Sequence, residues 1–427
     1  MKNNQSKRMK AFIKSIIRTL PILVLIVGFR PSINYADPGT ARFIAPTSGG
    51  RDGKIIKVTT LQAEGKGSLL EALQTKGKRI IVFEVGGVID LKGKSISIKE
   101  PYLTVAGQTA PSPGITLIDG GVTISTHDVI LQHIRIRPGA SRHEVGWEPD
   151  GLTTSSASHV LIDQCTFTWA VDENCSASGP RFNGVSPDEW RKNTSHHITI
   201  SNCIIAEGLS KSTHPKGEHS KGTLIHDNAS HILIIGNLYA SNVERNVLFK
   251  GGARGVQVNN YIYNPSKRAI HYALVASEWE GHTWEKGQLT IIGNVLQLGQ
   301  NSIDIPLMTA SNGPCEIFME DNFVFRKDGQ PGKLFSGDET KLVKARPVWI
   351  EGTQVIPAGQ VKDSVLKTAG ARPWDRDLHD KRVIQSVIDG TSKIIHSEEE
   401  VGGYPTEKPT REKFNEKKWN LSDMTRK

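Results

Sequence analysis

Through the middle of the chain, apolar residues fall at alternate places in short runs, broken by Gly, Asn, Asp and Ser. Helical spacing is scarce there, so the pattern predicts many short strands. Five segments repeat one shape: HITISNCIIAEG (197–208), HILIIGNLYASN (231–242), GVQVNNYIYNP (255–265), QLTIIGNVLQLG (288–299) and CEIFMEDNFVFR (315–326). Each is an apolar strand, an asparagine and a second apolar stretch. The asparagines are Asn202, Asn237, Asn260, Asn294 and Asn322, separated by 35, 23, 34 and 28 residues. HVLIDQCTFTWA, from His159, has the same shape with Gln164 in the asparagine place.

A repeat of this kind predicts a solenoid, in which each coil covers the open face of the next. An asparagine at a recurrent bend can bond the asparagines above and below it, satisfying groups that would otherwise be buried unpaired. The predicted architecture is all-β: a single-stranded, right-handed parallel β-helix. A sandwich or propeller would also supply short strands, but neither explains the recurring asparagine. Variable spacing between repeats means loops of different length on one side.

Composition changes the picture only at the ends. The net charge of +9 is not a nucleic-acid signature, because the first 36 residues hold seven basic residues and no acid, leaving +2 for the rest. That segment reads as a signal peptide, residues 1–36: a basic start, the apolar LPILVLIVGF, then small and polar residues. Cleavage is expected after Ala36 or Ala41; the alternative is an uncleaved anchor. The expected product is secreted, extracellular or periplasmic, with no membrane contact after cleavage, and monomeric. Residues 37–340 form the predicted β-helix. Residues 341–427, richer in charge and proline, form a predicted small C-terminal cap over the open end of the coil and a polar tail, with RVIQSVIDG as the best helix. Four cysteines are too few for a disulfide framework, and Cys165 and Cys203 read as buried small apolar groups.

One family resemblance emerges from motif order. IRIRPG (134–139), EPDGLTT (148–154), VLIDQCTFTWAVDE (160–173), EHSKGTLI (218–225), ERN (244–246) and VNNYIYNP (258–265) follow one another as in family 1 polysaccharide lyases, the pectate lyases. The tail AGARPWDRDLHDKRVIQSVIDGTSKII (369–395) also resembles secreted bacterial members. The resemblance spans roughly residues 42–405. It implies a pectin lyase-like β-helix, calcium (Ca2+), and β-elimination on an acidic polysaccharide, polygalacturonate or pectin.

Such an elimination removes the proton on C5 of a galacturonate and expels the glycosidic oxygen at C4. Negative charge then grows on the C6 carboxylate, so a divalent cation and a cationic side chain are needed beside it. Calcium takes hard oxygen ligands; the candidates are Glu148, Asp150, Asp172 and Glu173. The resemblance matches Asp150 and the segment of Asp172 to calcium ligands, although WAVDE departs from the family's commoner DGxxD spacing. It matches Lys221 to a lysine that binds the substrate carboxylate. Arg245 takes the first position of the family's RxPxxR pattern and becomes the candidate catalytic arginine, with Lys221 beside it. Val247 stands in the proline place and Lys250 in that of the second arginine, where a lysine lacks the planar fork. Lys250, His219 and Arg137 are candidate substrate contacts: His219 shares a face with Lys221 in an extended segment, and Arg135 and Arg137 alternate on one strand. Of five tryptophans near these motifs, Trp279 and Trp284 are expected at the surface.

Other classes fit less well. A hydrolase on this architecture would show NTD, DD, GHG and RIK signatures, which are missing. A pectin lyase acting on methylated polymer would tend to lose the acids. A non-catalytic binding β-helix would keep the repeat without an ordered acid, lysine and arginine set.

Overall fold

The computed structural model describes residues 43–427, so the expected signal peptide lies outside the described residues. Each coil visits three parallel sheets in turn. Sheet I has ten strands from Lys54–Val58 to Cys315–Glu320. Sheet II runs from Val85–Asp90 to Phe323–Phe325, and sheet III from Ile96–Ile98 to Phe335–Gly337. The fold is the expected parallel β-helix. Among the described residues no helix is long and apolar enough to cross a membrane.

Register explains why the sequence alternates. Leu103, Val129, Val160, Ile198, Ile232, Gly255, Leu289 and Ile317 pair in succession along sheet I and point into the coil. Each buried aliphatic side chain contributes about 1.5–3 kcal/mol relative to exposure. The glycine in this column is a packing choice: a Cβ on Gly255 would lie 2.6 Å from the Phe249 ring.

The asparagine column forms, with a shifted register. Asn237 donates through its main chain and side chain to Asn260 Oδ1, Asn260 likewise to Asn294, and Asn294 to Asn322, at 2.8–3.2 Å. The column continues through Cys203 and Cys165, not through Asn202 and Gln164. Asn202 and Gln164 occupy the preceding corner, where φ is positive (51° and 52°); Gly236 and Gly293 fill that corner in other coils. Asparagine tolerates the left-handed region, so it suits both places. All four cysteines are free and buried.

Residues 341–427 differ from the cap expected over the end of the coil. They run back along the flank of sheet II. Helix Ala358–Thr368 buries Val361 and Val365 against Ile204, Leu238 and Tyr261. Helix Leu378–Ile388 follows, capped by Asp377. Thr410–Arg411 then adds an antiparallel strand to Val85–Asp90, near the start of the coil.

This path overturns the expectation for Arg137 as a substrate contact. Arg135 and Arg137 do share a face, and both are fully buried beneath the returning chain. Arg137 bonds Asp377 at 2.6 Å and Asp380 at 2.9 Å, and Arg135 bonds Asp380 at 3.0 Å. Alternation fixed which face the arginines occupy, but not what covers it.

Candidate active site

The acids cluster where central strands of sheet III begin. Strands Leu152–Ser155, Glu173–Ser178 and Lys221–Ile225 are neighbours, with Glu173 paired to Lys221 and Lys221 bridged to Glu244. Asp150 therefore precedes one strand where Asp172 and Glu173 enter the next. Main-chain bonds close the approach: Val171 and Asp172 N–H donate to Pro149 O at 3.2 and 3.3 Å, and Glu173 N–H donates to Asp150 Oδ1 at 3.1 Å. Oxygens of Asp150, Asp172 and Glu173 lie within 4.8 Å of one another.

A buried chain of amides ties this cluster to the arginine. Asn174 donates to Asn242 Oδ1 at 3.0 Å, and Asn242 donates to Asn246 Oδ1 at 3.1 Å. Asn174 follows Glu173 and Asn246 follows Arg245, so the chain fixes the spacing of their backbones. Arg245 sits at φ 63°, and its guanidinium contacts Glu173 Oε1. It pairs with Glu173 rather than with its neighbour Glu244.

Charge at the site is unevenly held. Burial, and then the adjacent Asp172 carboxylate, raises the pKa of Asp150. Burial also opposes ionisation of Asp172, but the bond from His219 and the charge of Arg245 outweigh it and hold its pKa low. Burial lowers the pKa of Arg245 even though Asp172 and Asp150 favour its charge. Lys221 is buried and bonds Glu244 at 2.5 Å. Burial opposes ionisation of Glu244, but Lys221 holds its pKa below the usual carboxylate range.

The remaining candidates are distributed differently from the expectation. Glu148 stays at the rim, where its Oε2 is 3.2 Å from His214 Nε2. His219, expected to touch substrate, is instead buried and bonds Asp172 at 2.9 Å. Its ring stacks on His214 at 3.5 Å. Lys250 ends strand Leu248–Lys250, at the far end from Arg245, and contacts Glu278 and Asp227. Arg181 joins the same two acids, each at 3.0 Å. Trp279 is buried, donating to Asp227 at 2.7 Å, while Trp284 is exposed. His214, Asp227, Glu278 and Arg181 were not singled out by the sequence; the only signal was the doubled histidine in STHPKGEHSKG.

The oxygen-rich donors at Asp150, Asp172 and Glu173 fit a hard divalent cation. Glu173 Oε1 is buried, in contact with the Arg245 guanidinium and close to the carboxylates of Asp150 and Asp172. The arrangement can hold a cation beside the Arg245 guanidinium, a combination suited to stabilising a developing carbanion.

No family model matches the chain. The protein named "Probable pectate lyase C" from Neosartorya fischeri is 31% identical over 396 residues, 90% of this chain and 85% of the relative. The protein of that name from Aspergillus flavus is 30% identical over 380 residues, 86% of this chain and 81% of the relative. Among solved structures, a pectate lyase bound to a hexasaccharide superposes with a TM-score of 0.55 at 13% identity, covering 79% of this chain and all of that one (100%). The cedar pollen allergen Jun a 1 gives 0.54 at 15% identity, covering 76% and 90%. The structural likenesses bear on the fold alone.

Proposed function

The chain belongs to the pectate lyases, and from that membership we propose that it cleaves α-1,4-polygalacturonate by calcium-assisted β-elimination, giving 4,5-unsaturated oligogalacturonides. The observation that carries this reading is the contact of Arg245 with Glu173 beside Asp150 and Asp172. Asp150, Asp172 and Glu173 would hold the calcium ion, which when bound neutralises the uronate carboxylate. Glu148 is close enough through His214 to serve as an outer acid.

The chain's own residues divide the rest. Arg245 faces the reacting sugar and takes the C5 proton or neutralises the charge that its loss creates. Burial, which disfavours the guanidinium's charged form, supports the first role. The electrons of the C5–H bond form the C4–C5 double bond, the C4–O bond breaks, and the departing oxygen takes a proton from solvent. Lys221 binds a uronate carboxylate in competition with Glu244. Lys250 and Arg181 offer cationic contacts further along sheet III. His219 acts through Asp172.

We assign the first 36 residues as a signal peptide and the mature enzyme to the extracellular or periplasmic space, as a monomer whose partner is acidic polysaccharide. Residues 37–340 are taken as the catalytic coil and 341–427 as its C-terminal extension.

The test is incubation with polygalacturonate, with and without chelator, while following the ultraviolet absorbance of the conjugated uronate. Signal that appears with calcium and vanishes with chelator supports the reading. Release of reducing ends without that absorbance would point to hydrolysis and refute it.

A further inference from the structure

Away from the acid site, sheet I carries a column of histidines. Asp128, His159, His197 and His231 occupy the same corner of consecutive coils, because His127 pairs with Ser158, Ser158 with His196, and His196 with Ser230. All four have positive φ, from 53° to 56°. The rings of His159 and His197 stack at 4.8 Å and 13°, and those of His197 and His231 at 4.2 Å and 7°. His196 stands edge-on to His159 and His197. Its Nδ1 lies 2.8 Å from Nδ1 of His197.

Two ring nitrogens at that distance share one proton, so one Nδ1 donates and the other carries a lone pair. Both rings are half-buried. Burial first, then the neighbouring imidazoles, lowers both pKa values, that of His197 to about 4. At neutral pH the pair is uncharged.

We propose that His196 and His197 chelate a borderline divalent metal ion, of the copper(II) or nickel(II) class, through their two Nδ1 atoms. Metal–imidazole bonds are ~2.0–2.1 Å, so donors 2.8 Å apart subtend ~85° at the metal. That angle suits two cis positions of a tetragonal or octahedral ion; a tetrahedral ion would need donors ~3.4 Å apart. On binding, the shared proton moves from the donating Nδ1 to Nε2 of the same ring, so the protein's charge does not change. The charged neighbours are Asp128, bonded to Thr47 and His127, and Arg254, which acts on His231. The site lies on sheet I, away from the acid cluster of sheet III, which has its own imidazoles, His214 and His219, beside Asp172.

The test is calorimetric titration of the full chain with Ni2+ in excess calcium, which occupies the acid cluster. One bound Ni2+ is expected, weakened at least ~10-fold by His196→Gln and by His197→Asn, the asparagine being tolerant of positive φ. Asp172→Asn and His231→Asn should leave it in place. Unchanged affinity in the first two variants, or its loss in Asp172→Asn, would overturn the proposal. Electron paramagnetic resonance of the Cu2+ form, on the unmutated chain and on His219→Gln, gives a second check: coupling to two nitrogens is expected in both, and its loss in His219→Gln, or oxygen ligands alone in either, would refute the site.

Discussion

Replacing Asp380 with asparagine tests how the returning C-terminal chain is held. Asp380 is fully buried and accepts from Arg135 at 3.0 Å, Arg137 at 2.9 Å and Thr166 at 3.1 Å. Asparagine keeps the shape and removes the charge, leaving two buried guanidiniums to share Asp377. Each contact at ~3 Å has a Coulomb energy of about 5 kcal/mol at an effective dielectric of ~20. Loss of repulsion between Asp377 and Asp380 offsets part of this. Broken buried pairs cost about 3–5 kcal/mol in comparable cases, and a loss of that size is expected here. Equilibrium unfolding in urea, which does not screen charge, measures it. Hydrogen exchange locates the effect, which should fall first on residues 358–411 and on the sheet II strands Ile134–Arg137 and Thr166–Thr168. A loss under about 1 kcal/mol would contradict the claim that these arginines are structural anchors. In the folded fraction KM for polygalacturonate should stay the same; a raised KM would return Arg137 to the substrate groove.

Three further outcomes are expected. His219→Gln should raise the calcium concentration for half-maximal activity by about 10–100-fold while kcat at saturating calcium is retained, because the imidazole orients Asp172; a calcium titration of turnover measures both. Asn242→Ala unpairs the Gly208 N–H and the Asn174 amide and should cost about 2–4 kcal/mol in urea unfolding, with kcat falling more than KM rises as Glu173 and Arg245 lose their fixed spacing. Burial lowers the pKa of His133 to about 4 and of His271 to about 3. Between the unfolded value near 6.5 and these values the unfolded chain binds more protons, so stability rises with pH there and is lost on acidification; Tm followed from pH 7 to pH 4 should fall, and a flat profile would refute the burial argument.

The coil was legible because its signal is repeated. Alternation named the strands and the recurring asparagine named the bend. The register at Asn202 and Gln164 was misread by one residue because asparagine suits both the left-handed corner and the bonded position after it. Motif order pointed to Asp150, Asp172, Glu173, Lys221 and Arg245 as the proposed site, and adjacent coils bring these five together. Arg137, His219 and Trp279 were misread for a common reason. Each lies on a face or loop whose covering partner is distant in sequence: Asp377 for Arg137, Asp172 for His219 and Asp227 for Trp279. Local pattern carries no information about such partners. His214 was missed because the histidine pair in that polar loop, His214 and His219, follows neither strand nor helix period.

The central claim is that Arg245, held against the acid cluster, acts on the reacting sugar. Its most direct test is kcat and KM of Arg245→Ala and Arg245→Lys on polygalacturonate, with calcium, across pH 7 to 10. For the alanine variant turnover is expected to fall by about 10²–10⁴, the range of a general-base contribution, with KM changing much less. Substantial activity in Arg245→Lys would limit the side chain to neutralising charge, while an equal loss would assign it the proton. Near-unchanged turnover in Arg245→Ala would contradict the account and remove Arg245 from the reaction.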